Sequence, residues 1–390
     1  MAKAKLGNPF IAEISSGQAA PQNQTAFSTK GIPFIRAGSL EFLCSGGDEE
    51  GLERVTDKAA KEYKLRLFPA DTIVFAKSGM SAKIPRIYRL KDKCYLVSHL
   101  AAIIPCLSNV YPNYLEHYLK YNHPCSLISN DSYPSIRLSE IEEFEVILPS
   151  LDEQKKISEV FDAVDKLIHN RQLQLSKLDQ LVKARFVEMF GDPESNPLAW
   201  KEEKLEGYVK LVGGYTFKSE GFAESGIPVL RIGNINAGFF KPDNLVFWRN
   251  DDDLEKYKIF PGDLVMSLTG TVGKEDYGNV CILDDTYSVY YLNQRNAKIR
   301  LSASLNKIFL AEILKFSKVK KKLTGISRGI RQANISNADI YNLRIPIPPI
   351  NLQEEFASFV QRIDKTKTTV KQSLEKLETL KKSLMQEYFG

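Results

Sequence analysis

The chain contains the same structural unit twice, because three segments of its first half recur in the same order in its second half. The copies share features such as Gly-Ile-Pro-x-x-Arg and Phe-Pro-x-Asp. The three pairs of segments are 30–40 with 225–235, 68–75 with 260–267, and 136–149 with 335–348. The offset between copies changes from pair to pair, so the insertions fall between the shared pieces. This pattern predicts one scaffold that was kept while its loops changed.

The shared pieces are short β-branched and aromatic runs bounded by Gly, Pro, Asn or Asp, which is typical of β-strands. The Phe-Pro-x-Asp pieces predict turns that lead into buried strands. Residues 113–121 and 305–322 are the clearest helices inside the two halves. The sequence therefore predicts an α+β fold with two similar mixed α/β domains, residues 1–148 and 193–347, whose sheets are twisted or barrel-like.

Two long helical stretches follow the domains, over residues 149–192 and 348–390, and each opens with Pro and with an Asp or Asn suited to capping. Apolar residues then repeat at alternating spacings of four and three, which predicts pairing along one face of each helix. The predicted contact residues are Ile157, Phe161, Val164, Ile168, Leu175, Leu178, Val182, Phe356, Val360, Ile363, Val370, Leu374, Leu377 and Leu384.

Cations interrupt these two apolar series at places that never coincide, namely Arg171 and Arg185 in the first and Lys367 and Lys381 in the second. Such series favour pairing of the two unlike helices with each other over pairing of either helix with itself. The alternative is that each helix packs on its own domain. A paired rod of about 33 residues would be on the order of 50 Å long, too long for the core of a small domain.

Hydrophobic residues make up 43% of the chain, and no apolar run approaches the roughly 18 residues that a membrane span requires. The first residues lack the apolar segment of a signal peptide. We therefore expect a soluble, cytoplasmic protein without membrane contacts. The five cysteines form no Cys-x-x-Cys pair, which predicts reduced thiols, and with four histidines no metal site is predicted.

No complete catalytic motif is present in the sequence. Residues 270–275 lack the spacing and the Ser or Thr of a phosphate-binding loop. Asn8-Pro9-Phe10 matches only part of the Asn-Pro-Pro-aromatic loop that amino-methyltransferases use on a flipped base. No nucleophile elbow marks a set of Ser, His and Asp. These absences favour a binding or scaffolding protein over an enzyme.

Positive charge is concentrated in the second domain, although the net charge of the whole chain is only +5. Between Glu312 and Asp339 the chain holds seven basic residues and no acidic residue. A run this one-sided is typical of a surface that faces phosphate groups, and equally of a solvated helix end. The sequence leaves both interpretations open.

These features together resemble the specificity subunit of type I restriction-modification systems across essentially the whole chain. The resemblance rests on the doubled Gly-Ile-Pro-x-x-Arg strand, on the run Phe-Pro-Gly-Asp-Leu-Val-Met-Ser-Leu-Thr-Gly-Thr-Val-Gly at 260–273, and on two helix openings that end in Gln154 and Gln353. The first copy departs from this pattern, because it has Ala70 where the second has Gly262 and a different loop after the strand.

The resemblance implies two target-recognition domains that each read one half of a bipartite, asymmetric sequence in double-stranded DNA. It implies that the helices at 149–192 and 348–390 pack antiparallel as a coiled-coil spacer, which gives the chain a pseudo-two-fold repeat with half-sites about 10 base pairs apart. The chain itself is expected to have no catalytic residue and no cofactor. S-adenosylmethionine is expected on two partner modification subunits that methylate adenine, and restriction subunits complete the complex.

Base edges should be read from the loops that differ between copies, because the scaffold is shared while the two half-sites need not be. The predicted DNA contacts lie in the loops after the Phe-Pro-x-Asp pieces and in the basic run, with a glutamine as a reader of adenine. They are Lys77, Ser78, Lys83, Thr269, Thr271, Lys274, Lys320, Lys321, Lys322, Arg328, Arg331 and Gln332. Two other functions remain open: a protein-interaction scaffold without sequence preference on DNA, and an enzyme that modifies or cuts DNA alone.

Overall fold

The computed structural model of the chain describes residues 3–271, 276–325 and 332–390. The chain divides into two compact units. Unit 1 comprises Met1–Gln172 together with Gln372–Gly390, and unit 2 comprises Leu173–Lys371. Each unit therefore contains one globular domain, one end of the first long helix and one end of the second.

Unit 1 is built from short strands and helices that precede the first long helix. Its strands are β1 (Lys3–Lys5), β2 (Ala12–Ser16), β3 (Phe27–Ser28), β4 (Ile32–Ile35), β5 (Arg54–Val55), β6 (Leu67–Phe68), β7 (Ile73–Ala76), β8 (Tyr88–Arg89), β9 (Cys94–Leu96), β10 (Leu100–Pro105) and β11 (Glu145–Ile147). Its helices are α1 (Ser39–Cys44), α2 (Asp57–Glu62), α3 (Pro112–Tyr121), α4 (Leu138–Glu142) and the first part of α5 (Leu151–Phe190).

Unit 2 has a similar order of elements, although its described residues form no α-helix at the positions of α1 and α2. Its strands are β12 (Glu202–Lys204), β13 (Val209–Gly213), β14 (Ile227–Leu230), β15 (Phe247–Trp248), β16 (Lys258–Ile259), β17 (Leu264–Ser267), β18 (Thr269–Thr271), β19 (Val280–Ile282), β20 (Tyr290–Leu292), β21 (Asn296–Leu301), β22 (Gln332–Asn334) and β23 (Arg344–Pro346). Its helices are the last part of α5, α6 (Lys307–Ile313), α7 (Ser317–Thr324), α8 (Asn337–Asn342) and the first part of α9 (Ile350–Phe389), whose last part belongs to unit 1.

The two units share one sheet topology. The antiparallel sheet β2-β10-β7-β8 of unit 1 corresponds to β13-β21-β17-β19 of unit 2. A second sheet in each unit contains one parallel pair, β4 with β9 and β14 with β20. A two-stranded sheet, β1 with β11 and β12 with β23, joins the first strand of each domain to its last. The internal repeat and the mixed α/β class predicted from the sequence are therefore confirmed.

The helix predicted at 305–322 is wrong as a single helix, because α6 and α7 are separate. Phe316 leaves the helical conformation with φ −65° and ψ 126° and caps the start of α7. Its ring lies 5.0 Å from the ring of Phe186 on α5, which draws it into the core. Tertiary packing of one aromatic side chain thus overrides the local preference for a continuous helix.

The structure aligns the turns before β7 and β17 differently from the sequence match of the two Phe-Pro-x-Asp pieces, by one residue. The N–H of Asp71 donates to the carbonyl of Leu90, and the N–H of Gly262 makes the same bond to Leu283. Both residues have positive φ, 66° and 84°. Asp71 and not Ala70 therefore corresponds to Gly262, and the expected match was wrong. Asp is one of the few residues besides Gly that adopt this backbone region readily.

In unit 1, the start of α5 and the end of α9 pack together on the domain and run antiparallel. The rings of Phe161 and Phe389 stack 5.2 Å apart, and Phe389 also contacts Tyr114 and Tyr118. Further along α5, Asp165 accepts a hydrogen bond of 2.5 Å from Lys381. The cation that interrupts the apolar series on α9 is therefore paired with an acid on α5.

In unit 2, the end of α5 and the start of α9 are paired in the same way. Lys367 lies 2.6 Å from Asp179, and Arg185 lies 3.1 Å from Glu355. Burial lowers the pKa of Lys367, but its hydrogen bond to Asp179 and the charge of that carboxylate outweigh burial and raise the pKa overall. All fourteen predicted contact residues of the two helices are buried or half-buried. Each helix also packs on the domains. Pairing of the two helices and packing of a helix on a domain, which the sequence left as alternatives, therefore occur together.

A buried glutamine fixes the start of α5 to its domain. The side-chain oxygen of Gln154 accepts from the N–H of Tyr111 at 2.8 Å. Its side-chain nitrogen donates to the carbonyls of Asn109 and Pro149 at 3.0 and 2.9 Å. The helix is capped by Ser150, which exchanges hydrogen bonds with Glu153, and not by the acid expected at the helix opening.

Gln353 plays the same part at the start of α9. It accepts from the N–H of Asn306 at 2.9 Å and donates to the carbonyls of Ser304 and Pro348. Its side chain is fully buried. The repeat has therefore kept a polar anchor as well as an apolar core at both helix openings.

Substitution Gln353→Ala should lower the free energy of unfolding by roughly 1 to 3 kcal/mol, because it leaves buried backbone groups without partners. Urea unfolding of the full chain measures this change. Gln180→Ala, at an exposed position on α5, is the matched control and should change stability little. Equal stability of both variants would contradict the anchoring role.

Charge reversal Asp165→Lys should lower stability by about 1 kcal/mol, because it sets two lysines against each other at a half-buried position. The double variant with Lys381→Asp restores opposite charges and should regain most of that stability, measured by the same unfolding experiment. Glu159→Lys on the exposed face of α5 is the control for the charge change alone. Failure of the double variant to regain stability would argue against this pair.

Candidate nucleic-acid interface

In both units, the segment that follows the buried strand, β7 or β17, pairs with a second segment. This second segment lies just before α4 in unit 1 and just before α8 in unit 2. In unit 1, Ser78 bridges Ser135, and the N–H of Gly79 donates to the carbonyl of Pro134 at 2.9 Å. We call the two segments that these contacts join, 77–84 and 130–136, the unit 1 ribbon. In unit 2, β18 pairs with β22, with Thr271 opposite Gln332, and these two strands form the unit 2 ribbon.

Two predicted contact residues begin the unit 1 ribbon. The N–H of Lys77 donates to the carbonyl of His99 at 2.9 Å, and its own carbonyl accepts from Ile136 at 2.8 Å. The hydroxyl of Ser78 lies 2.8 Å from Nδ1 of His99. Lys77 is half-buried and forms no ion pair with any described residue. Its backbone is therefore fixed while its ammonium group is unneutralised within the described part of the chain.

Lys83, the third predicted contact of unit 1, already has an anionic partner. Its ammonium nitrogen lies 2.7 Å from Oδ1 of Asp131, and Asp131 is almost fully exposed. The hydrogen bond and the charge of Lys83 lower the pKa of that carboxyl, so it remains ionised. The pair holds the loop after Gly79 against the segment that precedes Pro134. Lys83 would therefore have to share its charge between Asp131 and any phosphate group.

The predicted threonines of unit 2 occupy both ends of β18. Thr269 is buried and Thr271 is exposed. The N–H of Thr271 donates to Oδ1 of Asp276 at 2.8 Å, and its hydroxyl donates to Oδ2 at 3.0 Å. This carboxylate fixes the exposed end of the ribbon. The hydroxyl oxygen of Thr271 still has lone pairs with which to accept a hydrogen bond.

The structure places the last turn of α7 beside the unit 2 ribbon. Lys320 donates to the side-chain oxygen of Asn279 at 2.8 Å, and the hydroxyl of Tyr277 donates to the carbonyl of Thr324 at 2.7 Å. The backbone of Asn279 in turn pairs with Ser267 at the end of β17. Lys320 and the two predicted threonines are therefore brought to one side of unit 2.

The basic run is partly neutralised. Lys315 lies 2.5 Å from Glu312, and Lys318 forms an ion pair with Glu194. Lys321 and Lys322 are exposed on α7 and have no ion pair within the described part of the chain. Lys274, Arg328 and Arg331 lie outside the described residues, and only the backbone of Gln332 is described.

Residues 130–135 were not singled out by the sequence pattern, although they form one side of the unit 1 ribbon. They contain the partner of Lys83 and an exposed aromatic residue, Tyr133. A signal was present, because this segment immediately precedes the repeated piece 136–149 and corresponds to the end of the basic run in the second copy. The internal repeat therefore indicated this position, whereas the residue types at 130–135 did not indicate a DNA contact.

Among residues 3–271, 276–325 and 332–390, no cluster of His, Cys, Asp and Glu is arranged to hold a metal ion. In the same residues, no helix is both long enough and apolar enough to span a membrane.

A family model for the type I restriction modification DNA specificity domain matches residues 10–177 and again residues 197–379. The chain belongs to this family. The two matched segments correspond to the two copies of the internal repeat, so each copy is one specificity domain. Each segment also includes most of the long helix that follows its domain.

Two curated relatives are specificity subunits from Methanocaldococcus jannaschii. The chain is 28% identical to the type I restriction enzyme MjaVIII specificity subunit over 275 residues, which are 65% of this chain and 63% of the relative. It is 28% identical to the MjaIX specificity subunit over 187 residues, 45% of this chain and 40% of the relative. The matches thus span less than two thirds of the length of these relatives.

The fold is also similar to a solved structure, the S subunit of a type I restriction-modification system from M. genitalium. The TM-score is 0.60, over 100% of this chain and 96% of that chain, at 13% sequence identity. At this identity the likeness shows a shared fold.

Asp131→Asn should strengthen non-specific binding to duplex DNA by roughly three- to tenfold at about 0.1 M salt, because it releases the charge of Lys83 and removes an anion from the ribbon. Fluorescence anisotropy with a random-sequence duplex measures the change. Glu62→Gln, an exposed acid on α2, makes the same change in net charge and should have a smaller effect. Equal effects would show that only net charge matters.

Proposed function

We propose that this protein is the DNA-reading, non-catalytic subunit of a type I restriction-modification complex, and that each unit reads one half of a bipartite, asymmetric target. The observation that carries the proposal is the presence of equivalent ribbons in two specificity domains of one chain. Each ribbon exposes a different set of side chains on the same backbone pairing. Such an arrangement suits recognition of two unlike half-sites with one scaffold.

The charges at the unit 2 ribbon support contact with the DNA backbone. Lys321 and Lys322 are exposed beside a ribbon that also presents Thr271, so phosphate groups and base edges would find partners on one surface. Acidic side chains hold the ribbons in place without cancelling all of this charge. Phosphate contacts would set the position of the protein, and the ribbon side chains would supply the sequence preference.

The proposal assigns the two long helices the role of spacer, as the sequence predicted. Their ends are fixed to the domains by Gln154 and Gln353 and by the aromatic contacts of Phe161 and Phe389. The partners proposed are two modification subunits that carry S-adenosylmethionine and methylate adenine, together with restriction subunits. The chain itself is proposed to bind no cofactor.

The proposed function is tested by co-purifying the chain with a modification subunit encoded in the same genome and mapping methylated adenines across that genome. A motif of two short specific parts separated by unspecified bases is expected. A single contiguous motif would contradict reading by two domains. The chain alone, incubated with DNA and S-adenosylmethionine, is expected to transfer no methyl group, and transfer would overturn its assignment as non-catalytic.

A protein-interaction scaffold is the second candidate function. It is supported by exposed apolar side chains on α5, including Val160 and Leu167 in unit 1 and Leu181 and Val187 in unit 2. Such a scaffold would bind a protein partner through α5 and would show no sequence preference on DNA even with that partner present.

The double variant Lys321→Gln with Lys322→Gln should weaken binding to all duplexes similarly and reduce the slope of log affinity against log salt by about 2, roughly 1 for each phosphate group that is no longer neutralised. Titrations at several salt concentrations measure the slope. The variant Lys315→Gln with Lys318→Gln makes the same change in net charge at ion-paired positions and should alter the slope less. Equal slopes for both variants would remove α7 from the interface.

A further inference from the structure

Large apolar side chains are exposed at the unit 1 ribbon. Tyr133 is 82% exposed, Met80 is 68% exposed and Ile84 is 42% exposed. The hydrogen bond from the N–H of Gly79 to the carbonyl of Pro134 joins the chain segments that carry Met80 and Tyr133. Side chains this exposed contribute little to the core, so the fold alone does not account for a large aromatic residue at this position.

The segment that carries Tyr133 is held in place by local hydrogen bonds. The side-chain oxygen of Asn130 accepts from the N–H groups of Ser132 and Tyr133, at 2.9 and 3.3 Å. The adjacent Asp131 is tied to Lys83. The aromatic ring is therefore presented from a fixed backbone, which reduces the entropic penalty when it binds a ligand.

The internal repeat gives this position a counterpart in unit 2. Ser135 pairs with Ser78 at the start of the unit 1 ribbon, as Asn334 pairs with Thr269 at the start of the unit 2 ribbon. Counting back two residues from these pairs makes Tyr133 equivalent to a glutamine, residue 332. The same backbone position thus carries an amide in one unit and an aromatic ring in the other.

These two side chains recognise different features of a base pair. A glutamine amide matches the donor and acceptor of adenine in the major groove, whereas an apolar side chain distinguishes a base by the C5-methyl group of thymine. Tyrosine has a single hydroxyl group, so it cannot offer a separate donor and acceptor side by side as the amide does. The difference at this one position would make the two half-sites unlike each other.

We propose that Tyr133, on the same ribbon as Met80, contacts the C5-methyl group of a thymine in the half-site read by unit 1, and so determines specificity at that base pair. This inference rests on the proposed function, since it requires that the ribbons face the bases. The neighbouring Lys77 supplies a cation for the adjacent phosphate groups, so the apolar contact and the charge needed to hold DNA there lie on one ribbon.

The test uses the full chain in complex with its modification subunit. The methylation motif is determined for the wild type and for Tyr133→Ala and Tyr133→Phe, and affinities are measured on duplexes with thymine or uracil at each thymine of the motif. Tyr133→Ala should relax one position in one half-site and lower affinity for the wild-type target roughly five- to tenfold. Tyr133→Phe should keep both.

Uracil at that position should weaken wild-type binding severalfold and leave the affinity of Tyr133→Ala unchanged, because the methyl group is the only difference between the two bases. Leu107→Ala removes another exposed apolar side chain, at the other end of β10 from the ribbon, and should leave the motif unchanged. Thermal unfolding of each variant checks that the chain remains folded.

Different results identify different failures. If Tyr133→Phe behaves like Tyr133→Ala, the hydroxyl makes the contact and the apolar reading is overturned. If Tyr133→Ala weakens binding to all sequences equally, or changes neither motif nor affinity, the residue does not read a base, although the proposed function stands. If the wild type itself gives no bipartite motif, the proposed function fails before the inference is reached.

Discussion

The structure depends on the way each domain closes its core with the start of one long helix and the end of the other. In unit 1 this contact is the stacking of Phe161 on Phe389, and in unit 2 it is the packing of Phe356 against Phe186 and Phe190. Apolar burial supplies the attraction, and the ion pairs between the helices fix which residues face each other. Each long helix is therefore stabilised by both domains, at opposite ends.

Much of this fold could be predicted from the sequence, because it is written in patterns that depend only on neighbours along the chain. The repeated strand pieces indicated the shared topology, and the spacing of apolar residues on α5 and α9 indicated the buried face. Phe186 and Phe389 were not predicted, because they lie one position off the regular series and are buried by the domains. The break at Phe316 and the positive φ of Asp71 likewise arise from tertiary contacts.

The candidate site was less predictable than the fold, because the effect of a charged side chain depends on partners that are distant in sequence. The sequence alone gives no acidic partner for Lys83 or Lys318. In the structure, Lys83 has a partner about 48 residues away and Lys318 has one about 124 residues away. Lys321 and Lys322 have none within the described residues. The repeat indicated the position of segment 130–135, but only the pairing of Ser135 with Ser78 in the structure showed that this segment belongs to a ribbon.

The division of the chain into units has a consequence for synthesis on the ribosome. Unit 2 is one uninterrupted stretch, Leu173–Lys371, whereas the core of unit 1 includes Phe389. Domains generally fold in the order in which they emerge, N-terminal first. In this chain the first domain emerges with an incomplete aromatic cluster, because Phe389 is synthesised long after the rest of the unit 1 core. That interval is when chaperones would find the most exposed apolar surface on the chain.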